Sequence, residues 1–228
     1  NVLVTGCAGF IGFHICLKLL LNKNYKVFGV DNLDNYYDKN LKKNRLKILI
    51  KNKNFFFKLL DINNIKNLEN IFKKNKLDIV IHLAAQPGVN YSFKNPSKYI
   101  KNNINGFFNV LDLSSKHKVK NFLYASSSSV YGNNKNFTNI ETDKTDTPLS
   151  VYSATKKTNE LIAYSYSNFH NIQTIGLRFF TVYGKYARPD MFFSKLASAI
   201  KKNNFIELYN NGNLFRDFTY IDDVSSSI

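Results

Sequence analysis

A doubly wound α/β fold built on a parallel sheet is predicted for this 228-residue chain by three observations. Short apolar runs bounded by turn residues recur along it, and longer stretches with helical spacing separate them. The runs are continuous in apolar residues where a half-exposed strand would alternate, as strands covered on both faces require.

In order, the runs are Val2–Thr5, Lys26–Asp31, Phe55–Leu60, Ile79–Ala84, Phe122–Ala125 and Thr174–Phe179, each read as a strand buried on both faces. Between them, Ile11–Leu21, Ile65–Phe72, Tyr99–Ser115 and Thr155–Phe169 carry the amphipathic spacing of helices. The polar, turn-rich stretch Asn133–Ser150 reads as a surface loop, and no repeat or Pro/Gly/Ser linker divides the chain. After Gly184 the alternation weakens. Residues 1–180 are therefore expected to form one domain and residues 181–228 the start of a smaller C-terminal one. The chain stops soon after a further apolar segment, and its first residue is not Met, which suggests a fragment.

Composition narrows the function classes. The chain is long enough to fold without disulfide or metal staples, and no apolar run approaches the roughly 20 residues of a membrane span. A cytoplasmic protein without a membrane partner is expected. Cys7 and Cys16 match neither a metal-ligand spacing nor a disulfide framework and read as small buried residues, so no metal is expected. The net charge of +16 arises from lysines spread through the whole chain among asparagines, which argues against a nucleic-acid face. It still makes a positive field that favours a doubly anionic substrate such as a nucleotide-sugar.

The first strand runs into TGCAGFIG, where Gly6, Gly9 and Gly12 are spaced three apart ahead of a helix. Glycines there allow a tight turn, close approach of backbone to a pyrophosphate, and close packing of helix on strand, so Phe10 and Ile11 between them are also expected beside the cofactor. The second strand ends in Asp31, at the distance downstream where an acidic side chain bonds ribose hydroxyls. A carboxylate repels a 2′-phosphate, which favours NAD over NADP; the glycine turn between strand and helix in a doubly wound sheet makes the domain Rossmann-type. Asp61 and Ile62 close the third strand, where a carboxylate can accept from an adenine amino group. Ala84, Ala85 and Gln86 close the fourth, where small residues let a cofactor lie against the sheet edge.

At the fifth strand the chain reads YASSSSVYG, and YSATK follows after the polar loop. In a helix, Tyr152 and Lys156 lie one turn apart on one face. A cation ~5 Å from the phenol at an effective dielectric of ~20 contributes about 3 kcal/mol, on the order of two pKa units, which brings a phenolate within reach near neutral pH. A hydroxyl from the serine cluster can bond the same substrate oxygen.

These segments, with VDNLDNYYD, HLAAQPGV, RFFTVYG, RPDM and RDFTYIDD, resemble the extended short-chain dehydrogenase/reductase family over essentially the whole chain, and within it the NAD-dependent UDP-glucuronate 4-epimerases. The resemblance implies Ser127, Tyr152 and Lys156 as the catalytic trio, with Tyr152 and Lys156 also in contact with the cofactor. It further implies Asp31, Asn32 and Asn35 at the cofactor ribose, Phe180 behind the nicotinamide, and Arg216 on the UDP diphosphate. The resemblance also implies a homodimer packed through a four-helix interface of the helices near Tyr99–Ser115 and Tyr152–Phe169, where Phe107, Phe108, Leu161 and Tyr164 extend the apolar surface beyond one stripe.

Single residues separate the relatives. Related 4,6-dehydratases carry an Asp-Glu pair and decarboxylases a Glu just before VYG, where this chain has Ser128 and Ser129. Neutral-sugar epimerases usually show Asn where Thr181 stands, and RPDM from Arg188 is typical of the glucuronate group. The family's common AGVRYS is PGVNYS here, so an arginine at position 90 is absent. The implied reaction is transient oxidation at C4 of a UDP-sugar, with Ser128, Ser129, Thr181 and Arg188 as the polar candidates for holding a uronate carboxylate. Alternatives are UDP-glucose/UDP-galactose or UDP-N-acetylhexosamine 4-epimerisation and, more remotely, a non-catalytic NAD-binding protein, which would not need Ser127, Tyr152 and Lys156 together.

Overall fold

The structure, a computed structural model, describes residues 1–134, 138–213 and 215–228. Its main sheet has six parallel strands: β1 (Val2–Thr5), β2 (Val27–Asp31), β3 (Phe55–Leu59), β4 (Ile79–His82), β5 (Asn121–Ala125) and β6 (Gln173–Leu177). Their spatial order is β3-β2-β1-β4-β5-β6, the doubly wound order expected from the alternation. Thr5 pairs with Val30 on one side and His82 on the other, so the chain leaves β1 between strands that lead in opposite directions. A crevice opens at the carboxyl end of such a switch point.

The helices are α1 (Phe10–Leu19), α2 (Lys39–Leu49), α3 (Ile65–Lys74), α4 (Val89–Lys94), α5 (Pro96–Tyr99), α6 (Gly106–Lys116) and α7 (Val151–His170), with a π-helical segment Ile100–Asn105 joining α5 to α6. The period of two along β1 divides the core. Val2 and Val4 pack with Phe13 and Ile15 of α1 and with Leu46 and Leu49 of α2. Leu3 packs on the opposite face with Phe107, Val110 and Leu111 of α6 and with Phe122. Burying one such side chain contributes on the order of 1.5–3 kcal/mol.

Two strands depart from the reading that all six are covered on both faces. β3 and β6 are the sheet's edges, and Phe56 and Leu59 are 46% and 60% exposed because few elements cover the outer strands. The stretch Tyr99–Ser115 is not one α-helix, since the π segment interrupts it. α7 begins at Val151, four residues before the predicted Thr155, because Ser150 caps it. The Ser150 hydroxyl accepts from the Ser153 N–H, and the Ser153 hydroxyl accepts from the Ser150 N–H. The described part of the polar stretch after Gly132 carries neither helix nor strand; residues 135–137 lie outside the described residues.

From residue 181 the chain leaves the six-stranded sheet. β7 (Thr181–Tyr183) pairs in parallel with β8 (Phe218–Tyr220), and the helices α8 (Phe192–Lys202) and α9 (Ile221–Ser226) flank them. Ile221 and Val224 of α9 bury against Phe10 and Val182, which ties this region to the start of α1. Among the described residues no helix is long and apolar enough to cross a membrane, and no three His, Cys, Asp or Glu side chains gather as a metal site.

Candidate active site

One groove runs along the carboxyl edge of the sheet, and its wall is continuous from the glycine turn to the start of α7. Gly6 has φ +70°, and a Cβ there would stand 2.8 Å from the Ala84 nitrogen. At Gly12 a Cβ would overlap the Gly6 carbonyl oxygen, so only glycine lets α1 start against this turn. No side chain caps α1, and Phe10, Ile11 and Gly12, whose N–H groups have no partner within the helix, line the groove with Gly9. Such an end suits an anionic group.

Asp31 closes β2 buried in the groove wall, where its Oδ2 accepts from the Ala8 N–H at 3.1 Å and its Oδ1 from the Leu33 N–H at 2.8 Å. Burial pushes its carboxyl up, opposed by Lys42 and these two N–H groups. Asn32 donates to Asp61 Oδ2 at 3.1 Å. Burial raises Asp61, but the N–H of Asn63 and the side-chain amides of Asn32 and Asn63 outweigh it and hold the carboxyl below its ordinary range. Ile62, Ala84, Ala85 and Gln86 continue the wall. Gln86 is fixed by Asn103, which the π segment presents to it: the Gln86 N–H donates to Asn103 Oδ1 at 2.7 Å, and Asn103 Nδ2 donates to the Gln86 carbonyl at 3.2 Å.

Ser127, Tyr152, Lys156, Phe180 and Arg188 come together at the far end of the groove. The Ser127 oxygen accepts from the Ser129 hydroxyl at 2.9 Å, and the Ser127 side chain draws the Tyr152 phenol down. Lys156 Nζ stands 5.9 Å from the centroid of the Tyr152 ring and donates to the Ala125 carbonyl at 2.9 Å. Burial pushes the phenol up, and the charge drawing it down, after the Ser127 bond, is that of Arg188. Burial also brings Lys156 itself down to about 8, since the low dielectric disfavours the ammonium.

A half-buried ion pair braces this end. Arg178 donates to both Glu160 oxygens, at 2.9 and 3.0 Å, and the Ser126 hydroxyl donates to Glu160, which ties the exits of β5 and β6 to α7.

Five expected residues stand outside the groove wall. The side chains of Asp31, Asn32 and Asp34 each close a turn onto the N–H two residues on, which leaves Asn35 exposed. Ser128 and Ser129 open a 3-10 turn, Ser128 donating its N–H to the Phe179 carbonyl, and Thr181 begins β7 between the lining residues Phe180 and Val182. Arg216 is exposed and donates to the Phe215 carbonyl. Conversely, Tyr36, Tyr37, Lys42 and Asn102 line the groove without having been expected to. The two tyrosines stand in DNLDNYYD, where no spacing along the chain marks the aromatics as groove-lining. Lys42 lies on α2, whose buried positions 42, 45, 46 and 49 include two cations, so no apolar stripe marked them.

The NAD dependent epimerase/dehydratase family model matches residues 2–228. Protein CapI of Staphylococcus aureus is 48% identical over the whole of this chain, which spans 68% of that relative. UDP-glucuronate 4-epimerase 4 of Arabidopsis thaliana is 45% identical over 98% of the chain, which spans 52% of it. Among solved structures, UDP-glucuronic acid 4-epimerase from Bacillus cereus, in complex with UDP-glucuronic acid and NAD, superposes with a TM-score of 0.93 at 38% identity, covering 98% of this chain and 70% of that one.

Proposed function

The chain belongs to the NAD dependent epimerase/dehydratase family, and on that premise we propose that it interconverts UDP-glucuronate and UDP-galacturonate by transient oxidation at C4. The observation that carries this reading is the juxtaposition of Tyr152, Ser127 and Lys156 in one wall of the groove that begins at the glycine turn. The relatives named for UDP-glucuronate epimerisation support the substrate.

The residues present fit NAD. A backbone cradle that a Cβ would fill, an uncapped helix end and a buried carboxylate at Asp31 follow one another along the groove. Gly6, Gly9, Phe10, Ile11 and Gly12 would hold the pyrophosphate, Asp31 with Asn32 and Asn35 the adenosine ribose, and Asp61 and Ile62 the adenine. Ala84, Ala85 and Gln86 would flank the nicotinamide half, with Phe180 behind the ring. When bound, NAD supplies a reversible hydride acceptor and a positive charge beside Tyr152.

Tyr152 takes the proton from the sugar 4-hydroxyl and returns it after the 4-keto sugar turns over, and Ser127 holds the same oxygen. Lys156 anchors this end to the Ala125 carbonyl and adds its charge to the site. A 4-keto uronate is a β-keto acid, so the enzyme must keep the carboxylate out of line with the carbonyl π system. Arg188, Thr181, Ser128 and Ser129 are assigned to that grip, and Arg216 to the UDP diphosphate. Residues 181–228 belong to the start of a substrate-binding region, and the protein acts in the cytoplasm as a homodimer.

Incubating the full-length protein separately with UDP-glucuronate, UDP-galactose and UDP-N-acetylglucosamine, with product identification by NMR, tests the reading. UDP-galacturonate is the expected product. Turnover of a neutral sugar alone would replace the uronate reading with neutral-sugar epimerisation.

A further inference from the structure

The loop after β2 and the segment before α8 meet at the sugar end of the groove. The Tyr36 hydroxyl donates to Asp190 Oδ2 at 3.2 Å. Asp190 in turn takes the Arg188 guanidinium on both its oxygens, Nε to Oδ1 at 3.0 Å and Nη2 to Oδ2 at 2.9 Å. Asp190 therefore uses one edge of the guanidinium, and among the described residues none accepts from Nη1. Tyr36, Arg188 and Tyr152 all line the groove, and the charge of Arg188 acts on the Tyr152 phenol.

The direction of the Tyr36 bond is set. Burial raises Asp190, but Arg188 and the Tyr36 hydroxyl outweigh it, so Asp190 is a carboxylate and can only accept. Tyr36 keeps its proton, pushed up to about 12 by burial and by the Asp190 charge.

Tyr36 is itself held from several sides. Its ring meets the edges of Tyr37 and Tyr91 at centroid distances of 6.3 and 5.2 Å. Its hydroxyl lies in the space that a side chain at Gly88 would fill, where φ is +96°. Lys98 pairs with Asp34 at 2.9 Å and fastens the same loop.

We propose that Tyr36 and Asp190 are positioning residues for sugar recognition: Tyr36 pins Asp190, and Asp190 pins Arg188 so that the remaining Nη1 donors meet the anionic group of the substrate sugar. This rests on the uronate reading above and deepens it. An arginine free in solution gives up rotamer freedom when it grips a carboxylate, whereas a guanidinium already held on one edge has done so before substrate arrives. A neutral sugar gains little from that preparation, so the device sharpens the choice for a uronate. The loop that carries Tyr36 starts at Asp31, so cofactor seating and sugar recognition share one rigid segment.

The test uses the full-length NAD-loaded protein with UDP-glucuronate. Tyr36→Phe keeps the ring and removes only the hydroxyl. It is expected to raise KM about tenfold, the size of effect of one lost charge-assisted hydrogen bond. The accompanying fall in kcat is expected to be no more than about threefold on the same scale. The share of UDP-4-keto-pentose, formed with loss of carbon dioxide and leaving the cofactor reduced, should rise, while bound NAD per protomer stays constant. Asp190→Asn should act in the same direction, and the double variant should be no worse than Asp190→Asn alone, because both act through Arg188. A Tyr36→Phe enzyme with wild-type KM, effects that simply add in the double variant, or loss of NAD in place of a KM change would each overturn the proposal. Wild-type protein inert on UDP-glucuronate yet active on UDP-galactose would overturn the uronate reading and this role with it; the other outcomes leave that reading standing.

Discussion

Tyr152 stands between opposing influences. Burial holds the phenol protonated, while the Ser127 hydroxyl and the Arg188 charge draw it down. If it is the base, Tyr152→Phe should cut kcat by about 10²- to 10⁴-fold, the usual worth of a positioned proton acceptor. Dinucleotide released from the purified variant should match wild type, since the proposed role of the hydroxyl is toward the sugar. His82 beneath the site makes a separate prediction. It is buried between Phe107 and Phe122, shares its Nδ1 with the Thr5 hydroxyl at 2.9 Å, and is brought down to about 3 by burial and then by Lys156. The unfolded chain therefore takes up a proton near pH 6.5 that the folded chain refuses until about pH 3. Stability falls as pH drops through that window, by about 3 kcal/mol at pH 4 if the full shift acts. His82→Asn, which does not titrate, should flatten the pH dependence of urea unfolding between pH 7 and 4. An unchanged slope would show that other groups carry the acid sensitivity.

The first turn of α7 holds Tyr152 only because the helix begins at Val151, and Ser150 sets that beginning. Ser150→Ala should cost about 1 kcal/mol, which for a chain of this size lowers Tm by about 2–4 °C in calorimetry. A fall in kcat should accompany it, as the turn carrying Tyr152 frays. The sequence places Tyr152 in this helix but does not reveal the cap, because the residue three beyond Ser150 is Ser153, where the usual pairing has Glu or Gln. α2 escaped for a related reason: its inward positions Lys42 and Arg45 look solvent-facing until the groove and the Tyr37 hydroxyl that receive them are in place. The edges β3 and β6 read as covered strands because an apolar run reports composition, and only the sheet order decides which strands lack a neighbour.

For the whole molecule, the dimer proposal divides its four residues. Phe107 is fully buried in the core, whereas Phe108, Leu161 and Tyr164 are 43%, 58% and 69% exposed on α6 and α7. Exposed apolar positions on adjacent helices suit a two-fold interface. Sedimentation at micromolar concentration is expected to give a dimer, and Leu161→Glu to shift it to monomer without loss of far-UV helicity. A monomeric wild type would remove the proposal.

What the sequence by itself determined is whatever local chemistry and periodicity encode. That covers the strand-helix alternation, the glycine turn, an acidic end to β2, and a tyrosine and lysine one turn apart beside a serine cluster. Each follows from spacing along the chain, because backbone sterics and hydrogen bonding act over a few residues. Tertiary structure alone decided which charges meet. Asp190 engages both Arg188 and Tyr36, the latter 154 residues away in sequence, and Arg45 reaches from α2 to the Ala8 and Tyr186 carbonyls. It also decided that Tyr152 is raised by burial more than it is lowered by any cation. Coulombic and desolvation effects depend on distance in space and on the depth of surrounding protein, and neither quantity exists until the crossovers have folded the chain onto its sheet.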